Sequence, residues 1–159
     1  MAGVGFKTNL NMLEAAIGRL EAAVSEHGEL LAAIGETLVT GTHERFEEQV
    51  GPDGEAWPAS PRGKSPLLVD TARLKNSINH QEEGPNVYVG TNVIYAAIHQ
   101  YSGEITPKKA KTLAFPDGGR IVFRRKVKIP ARPFIGISVK DKERICEQIA
   151  EVMAEAAKP

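Results

Sequence analysis

Over the first fifty residues the apolar positions recur at helical spacing. Leu10, Leu13, Ile17, Leu20 and Val24 alternate steps of three and four, which lines them along one side of an amphipathic helix that Thr8 or Asn9 can cap. His27 and Gly28 read as a break. Beyond them Leu31, Ile34, Leu38, Thr42 and Arg45 resume the spacing with Phe46 alongside, so a second helix is expected to end near Val50. Gly51-Pro52-Asp53-Gly54 stops it, because proline lacks a backbone donor and glycine accepts positive φ.

The pattern then changes. From Trp57 to Pro66 proline, glycine, serine and basic residues crowd together, a composition suited to an exposed connector. Asp70 or Thr71 stands where it can cap a short helical turn carrying Leu74. Residues 77–82 and 86–90 flank Gly84-Pro85 as the arms of a hairpin would. Residues 94–101 read as a short helix, with Ile94 and Ile98 four apart, Tyr95 and His99 on a neighbouring face, and Gly103 at its end. Residues 112–115 and 120–123 flank Pro116-Asp117-Gly118-Gly119, a second hairpin signal in which two glycines supply left-handed turn positions. Residues 134–139 read as a last buried strand. Helical spacing returns at Asp141, with Ile145, Ile149, Val152 and Met153 as the apolar stripe.

Helices, then strands, then a helix, without repeated strand–helix alternation, predict an α+β fold. Its parts are two N-terminal helices, a small mainly antiparallel sheet with a short inserted helix, and a C-terminal helix. One domain is expected over residues 1–159, divided into a helical part (8–50), a loop-rich β part (51–139) and the final helix (140–157). The length of 159 residues and 42% hydrophobic content are enough for one core.

Composition narrows the setting. Apolar runs are only a few residues long and the N-terminus lacks a signal pattern, so neither membrane insertion nor secretion is expected and the protein should stay in the cytoplasm. The single cysteine, Cys146, excludes an internal disulfide framework and a cysteine-rich zinc site. Net charge is zero, yet residues 1–60 hold ten acids against three bases, while residues 104–128 hold eight bases against two acids. Such polarity favours partners. Lys108, Lys109, Lys111, Arg124, Arg125, Lys126 and Lys128 could meet DNA phosphates or an acidic protein surface, or simply be solvated.

His99 is the obvious candidate for proton transfer, with Tyr95 one helical turn earlier. A hydrolase would pair it with Glu104 or Asp70. No nucleophile elbow, zinc-protease helix or phosphate-cradling glycine loop accompanies it, which favours a structural histidine and no catalytic residue. His27, His43 and His80 do not form a metal-ligand spacing with it, so neither a metal nor a cofactor is expected. Arg132, between Pro130 and Pro133, presents a planar five-donor group on a stiff backbone, with Phe134 beside it. Trp57 sits in the proline-rich loop. These residues, with Tyr95 and His99, are candidates for partner contact, weighed against packing within the domain. A nucleic-acid binder would instead use residues 108–128, although no helix-turn-helix or zinc finger is legible.

Several blocks taken in order resemble the phage virion morphogenesis, or tail-completion, family. The first is Phe46, Pro52-Asp53-Gly54 and Trp57; the second is Leu68, Thr71, Leu74 and Ser77. Val89-Gly90-Thr91-Asn92 with Tyr95-Ala96 and Ile98-His99-Gln100 resembles the family's "vGtn..YA.iHq" stretch. Ile129-Pro130-Ala131-Arg132-Pro133-Phe134-Ile135-Gly136 resembles its "iPaRPflG" stretch. Tyr101-Ser102-Gly103 departs from the family, replacing an aromatic-glycine-glycine ending. The resemblance implies a non-enzymatic assembly protein made in the bacterial host's cytoplasm and acting in tail completion or head-to-tail joining. Its implied partners are phage neck or tail proteins and further copies of itself, by analogy in a ring, with phage DNA as a transient contact. Oppositely charged segments meeting between identical subunits are compatible with that arrangement.

Overall fold

The computed structural model describes residues 18, 27–60, 66–117, 119–156 and 158. The helix expected over residues 8–24 lies outside them, apart from Gly18. Among the described residues the fold is α+β, with four helices and short antiparallel strand pairs. Helix α1 spans His27–Glu48 and already includes His27 and Gly28, the two residues expected to interrupt it. A four-residue helix α2 (Arg73–Asn76) precedes the hairpin of β1 (Asn79–Glu83) and β2 (Asn86–Gly90). Helix α3 (Ala96–Tyr101) leads into β3 (Gly103–Ile105). The second hairpin is β4 (Leu113–Asp117) with β5 (Arg120–Arg124), followed by β6 (Val127–Ile129), which returns to pair with β3. Helix α4 (Val139–Ala156) is the last of the described elements. The expected single small sheet is thus three separate two-stranded antiparallel pairs.

Helix α1 is the axis of the fold, packed against the β1–β2 hairpin and against α4. Two glycines let those neighbours come close. A Cβ on Gly35 would meet the His80 ring from β1, and one on Gly41 would overlap the Asp141 carboxylate from α4.

At its C-terminal end α1 delivers Phe46 to the core, beside Trp57 and Phe134. The ring centroids lie 5.5 Å apart for Phe46–Trp57, edge to face, and 5.3 Å apart for Phe46–Phe134. Leu74, Ile78, Val93 and Ala96 complete the buried cluster. Trp57 reaches it because the chain reverses over residues 51–54. Gly54 takes φ +81° and its N–H donates to the Gly51 carbonyl, and the Trp57 N–H then donates to the Gln49 carbonyl. Edge-to-face pairs of this kind add roughly 0.5–1.5 kcal/mol beyond the area they bury.

Beneath the aromatic cluster lies a buried ionic network. Arg45 donates through Nε to the Phe134 carbonyl at 2.9 Å, through Nη1 to Asp141 Oδ2 at 2.7 Å, and through Nη2 to Thr42 Oγ1 at 2.9 Å and the Gly136 carbonyl at 3.0 Å. Asp141 also accepts from the Ser138 N–H at 2.8 Å, while Ser138 Oγ accepts from the Asp141 N–H at 3.1 Å. This reciprocal pair is a capping box that fixes the start of α4.

Several local expectations are corrected. Residues 134–138 form no strand, because their backbone groups are taken up by side chains. Gln100 Oε1 accepts from the N–H groups of Phe134 and Ile135, its Nε2 donates to the Ile135 carbonyl, and Arg45 takes the carbonyls of Phe134 and Gly136. Neither Asp70 nor Thr71 caps the short helix; Ala72, in the left-handed region at φ +53°, stands at that position without a side-chain cap. Ile94 precedes α3 and faces solvent instead of sharing a helical face with Ile98. Ser102, not Gly103, terminates α3, with φ +68° and ψ 169°, and Gly103 opens β3. The end of α1 at Glu48, by contrast, is near Val50 as expected.

Candidate interaction site

Residues from the last two signature blocks converge on one open cavity of about 690 Å³. One wall is the segment carrying Leu67, Leu68 and Leu74, another is α3 with its preceding residue, and the third is the β4–β5 hairpin continuing into β6. Strand alternation decides which side chains line it. In the register Leu113↔Arg124 and Phe115↔Val122, one hairpin face turns Phe115, Val122 and Arg124 towards the cavity. Val127 and Ile129 continue the apolar wall along β6. Exposed Lys126 and Lys128 join Arg124 in lining the cavity, so an apolar floor meets a cationic edge.

The wall of residues 66–74 packs on the core through Leu74, and a side chain at the end of α1 clamps its start. Gln49 sits at φ +60° where the helix ends; its Oε1 accepts from the Leu67 N–H and its Nε2 donates to the Leu67 carbonyl at 3.2 Å. Glycine is the usual residue in that left-handed position, but it would forfeit the clamp.

Tyr95 and His99 stand on the α3 side, edge to face, with ring centroids 6.2 Å apart. His99 is half-buried, and its Nδ1 has no hydrogen-bond partner among the described residues. Burial, reinforced by the positive charge of Arg132, lowers the His99 pKa below the ordinary imidazole value, so the ring is neutral near pH 7. The His99 carbonyl accepts from the Arg132 N–H at 2.6 Å. The Arg132 guanidinium donates to the carbonyls of Pro58 at 2.8 Å and Ala59 at 3.2 Å. It therefore ties the loop after Trp57 to the chain entering residue 134.

Tyr95, His99, Arg132, Arg124, Lys126 and Lys128, six of the residues proposed from sequence, line this one cavity. Trp57, Arg132 and Phe134 are turned into the protein's own interior, at 6%, 5% and 0% exposure. Trp57 Nε1 donates to the Pro133 carbonyl at 2.9 Å, and Phe134 presents no surface to a partner. Lys108, Lys109, Lys111 and Arg125 are exposed but do not line the cavity. Glu104, one carboxylate considered for His99, is paired with Lys126 at 3.1 Å; Asp70, the other, lines the cavity with His99. Sequence reasoning missed Gln49, Gln100 and the Arg45–Asp141 pair, since nothing local marks a glutamine as a backbone clamp or an arginine as buried. It also missed the apolar floor from Leu67, Leu68, Phe115 and Val122.

Among the described residues no three His, Cys, Asp or Glu side chains are grouped to hold a metal ion, and no helix is long and apolar enough to cross a membrane. A model of the phage virion morphogenesis family matches residues 8–154, a span that takes in all four blocks and the residues lining the cavity. The chain belongs to that family. Among curated proteins this virion morphogenesis protein is similar to the Mu-like prophage FluMu G protein 2 of Haemophilus influenzae (strain ATCC 51907 / DSM 11121 / KW20 / Rd). The two are 32% identical over 143 residues, covering 90% of each chain. No solved structure matches it. The family's role is in building phage particles, and the fold gives the "iPaRPflG" block a physical reason within it. Arg132 and Phe134 hold the core and the cavity wall together, and Gly136 lies where a Cβ would press on Pro52.

Proposed function

We propose that this protein acts in phage tail completion or head-to-tail joining, without catalysis, by associating with itself and docking on neck or tail components. The observation that carries the reading is the cavity, whose apolar floor and cationic edge suit an acidic, partly apolar protein segment. Family membership and the prophage relative support the phage setting. His99 Nδ1 has no hydrogen-bond partner among the described residues, so no carboxylate orients the ring through that nitrogen as a general base would need, which supports a binding role for the same surface. The exposed cations of residues 108–128 could also meet phosphates of DNA passing through a neck. That contact would show as duplex retention at low salt that falls steeply as salt is added.

The test is electron microscopy of lysates from the parent phage or prophage with this gene disrupted, beside a complemented control. Separate heads and tails, or aberrant tails, rescued by complementation are expected. Normal infectious particles from the disrupted phage would overturn the reading.

A further inference from the structure

Two exposed patches on different elements are complementary in both apolarity and charge. The first is the outer face of the β4–β5 hairpin, which packs chiefly on itself. Its register sets Ala114 opposite Phe123 and Pro116 opposite Ile121 on the face turned away from the cavity. Ile121 and Phe123 are 68% and 60% exposed there, an unusual placement for large apolar side chains on a protruding hairpin. Arg125 follows Phe123 by two and flanks the patch, exposed and without an ion pair among the described residues.

The second patch is a notch of about 220 Å³ where the C-terminal end of α1, the turn of residues 51–54 and the start of α4 meet. Val139, which lines it, and neighbouring Ile137 are 70% and 54% exposed. Glu48 and Asp53 stand on its edge, exposed and without an ion pair among the described residues, and Glu55 lies just beyond. The cations of the notch are already engaged: Arg45 by Asp141 and Lys140 by Glu44. What it offers a newcomer is negative charge around an apolar step.

We propose that the occupant of this notch is the β4–β5 hairpin of a second copy of the chain, with Ile121 and Phe123 against Ile137 and Val139 and the flanking Arg125 facing Glu48 and Asp53. The opposite charges of the two patches argue for a copy of this chain, since each molecule carries both halves. Because the two surfaces differ, the contact is heterologous: every subunit has one arm and one notch to offer, and the chain of contacts closes into a ring or extends. The inference rests on the self-association part of the proposed function and gives it an interface.

Full-length protein in analytical ultracentrifugation provides the test. Wild type is expected to self-associate with an apparent Kd that weakens at least about tenfold between low salt and about 0.5 M salt, as screened charges require. The arm variant Phe123→Asp/Arg125→Glu and the notch variant Glu48→Lys/Val139→Ser change exposed residues only, and each should be monomeric with an unchanged melting temperature. Mixed together they should form a heterodimer and nothing larger, because one intact arm then meets one intact notch. The proposal is overturned if wild type stays monomeric at every concentration, if either variant assembles like wild type, or if the mixture forms no complex. Should the notch variant melt early, Glu48→Lys alone replaces it, with the same outcomes. Monomeric wild type would leave the gene-disruption phenotype untouched, whereas normal particles from the disrupted phage would leave this interface standing.

Discussion

Arg45 and Asp141 form a buried pair whose geometry matters more than its charge. Besides Asp141, the guanidinium serves two carbonyls, those of Phe134 and Gly136, that no strand partner reaches. Asp141→Ala would strand that cation, and a loss of about 3–5 kcal/mol is expected, read as a lower denaturant midpoint. The pair also sets an acid limit. Burial would raise the Asp141 carboxyl, but hydrogen bonds from Ser138 and Arg45 outweigh it and hold the group below the ordinary carboxylate range. As pH falls below about 4–5 the unfolded chain takes up this proton first, so the stabilisation, complete at neutral pH, is lost as pH drops through the folded value. Asp141→Asn should flatten that acid limb; an equally steep limb would remove Asp141 from the account. Ser102 shows the opposite situation, a residue at odds with its backbone. Its φ of +68° with ψ of 169° is a region that glycine alone adopts easily, at the position where the sequence departs from the family's aromatic-glycine-glycine ending. Ser102→Gly should therefore stabilise the protein by roughly 1–3 kcal/mol in thermal or chemical unfolding, despite the entropy glycine brings to the unfolded chain.

Elements were legible wherever their own residues carried the signal. Both hairpins were, because Gly84-Pro85 and the run ending in Gly119 turn the chain without help from elsewhere. The β3–β6 pair was not, since each strand is three residues long and its partner lies beyond an intervening hairpin. Residues 134–139 misled for a related reason. Their alternating apolar pattern is that of a buried strand, yet Gln100 and Arg45 supply the hydrogen bonds a neighbouring strand would, and no local pattern announces that. In α1 the glycines separate local preference from packing. Gly28→Ala meets nothing within 4 Å and should gain up to about 1 kcal/mol from helix propensity. Gly41→Ala has the same propensity but would drive its Cβ into the Asp141 carboxylate, so it should destabilise instead. Matched melting curves for the two variants provide the comparison, and a stabilised Gly41→Ala would mean that α4 is not held close to α1.

At the scale of the whole molecule, the charge imbalance visible in the sequence becomes two differently built surfaces. Acids gather where α1 ends and the turn begins, and cations line the edge of a cavity whose floor is apolar. The polarity could be counted from the sequence. The cavity could not, because its walls come from residues 66–74, α3 and the β4–β6 region, which only the fold assembles. His99 lines that cavity from α3, and the cationic edge lines it from the β5–β6 side. Their separate roles can therefore be tested in one experiment. The central claim is that this protein builds phage particles by binding through its surface and not by turnover at His99. The direct measurement is the plaque titre of the gene-disrupted phage complemented with folded Arg124→Glu/Lys126→Glu/Lys128→Glu or folded His99→Gln. The account predicts that the charge-reversed protein fails to restore the titre and His99→Gln restores it; rescue by the charge-reversed protein with failure of His99→Gln would contradict it.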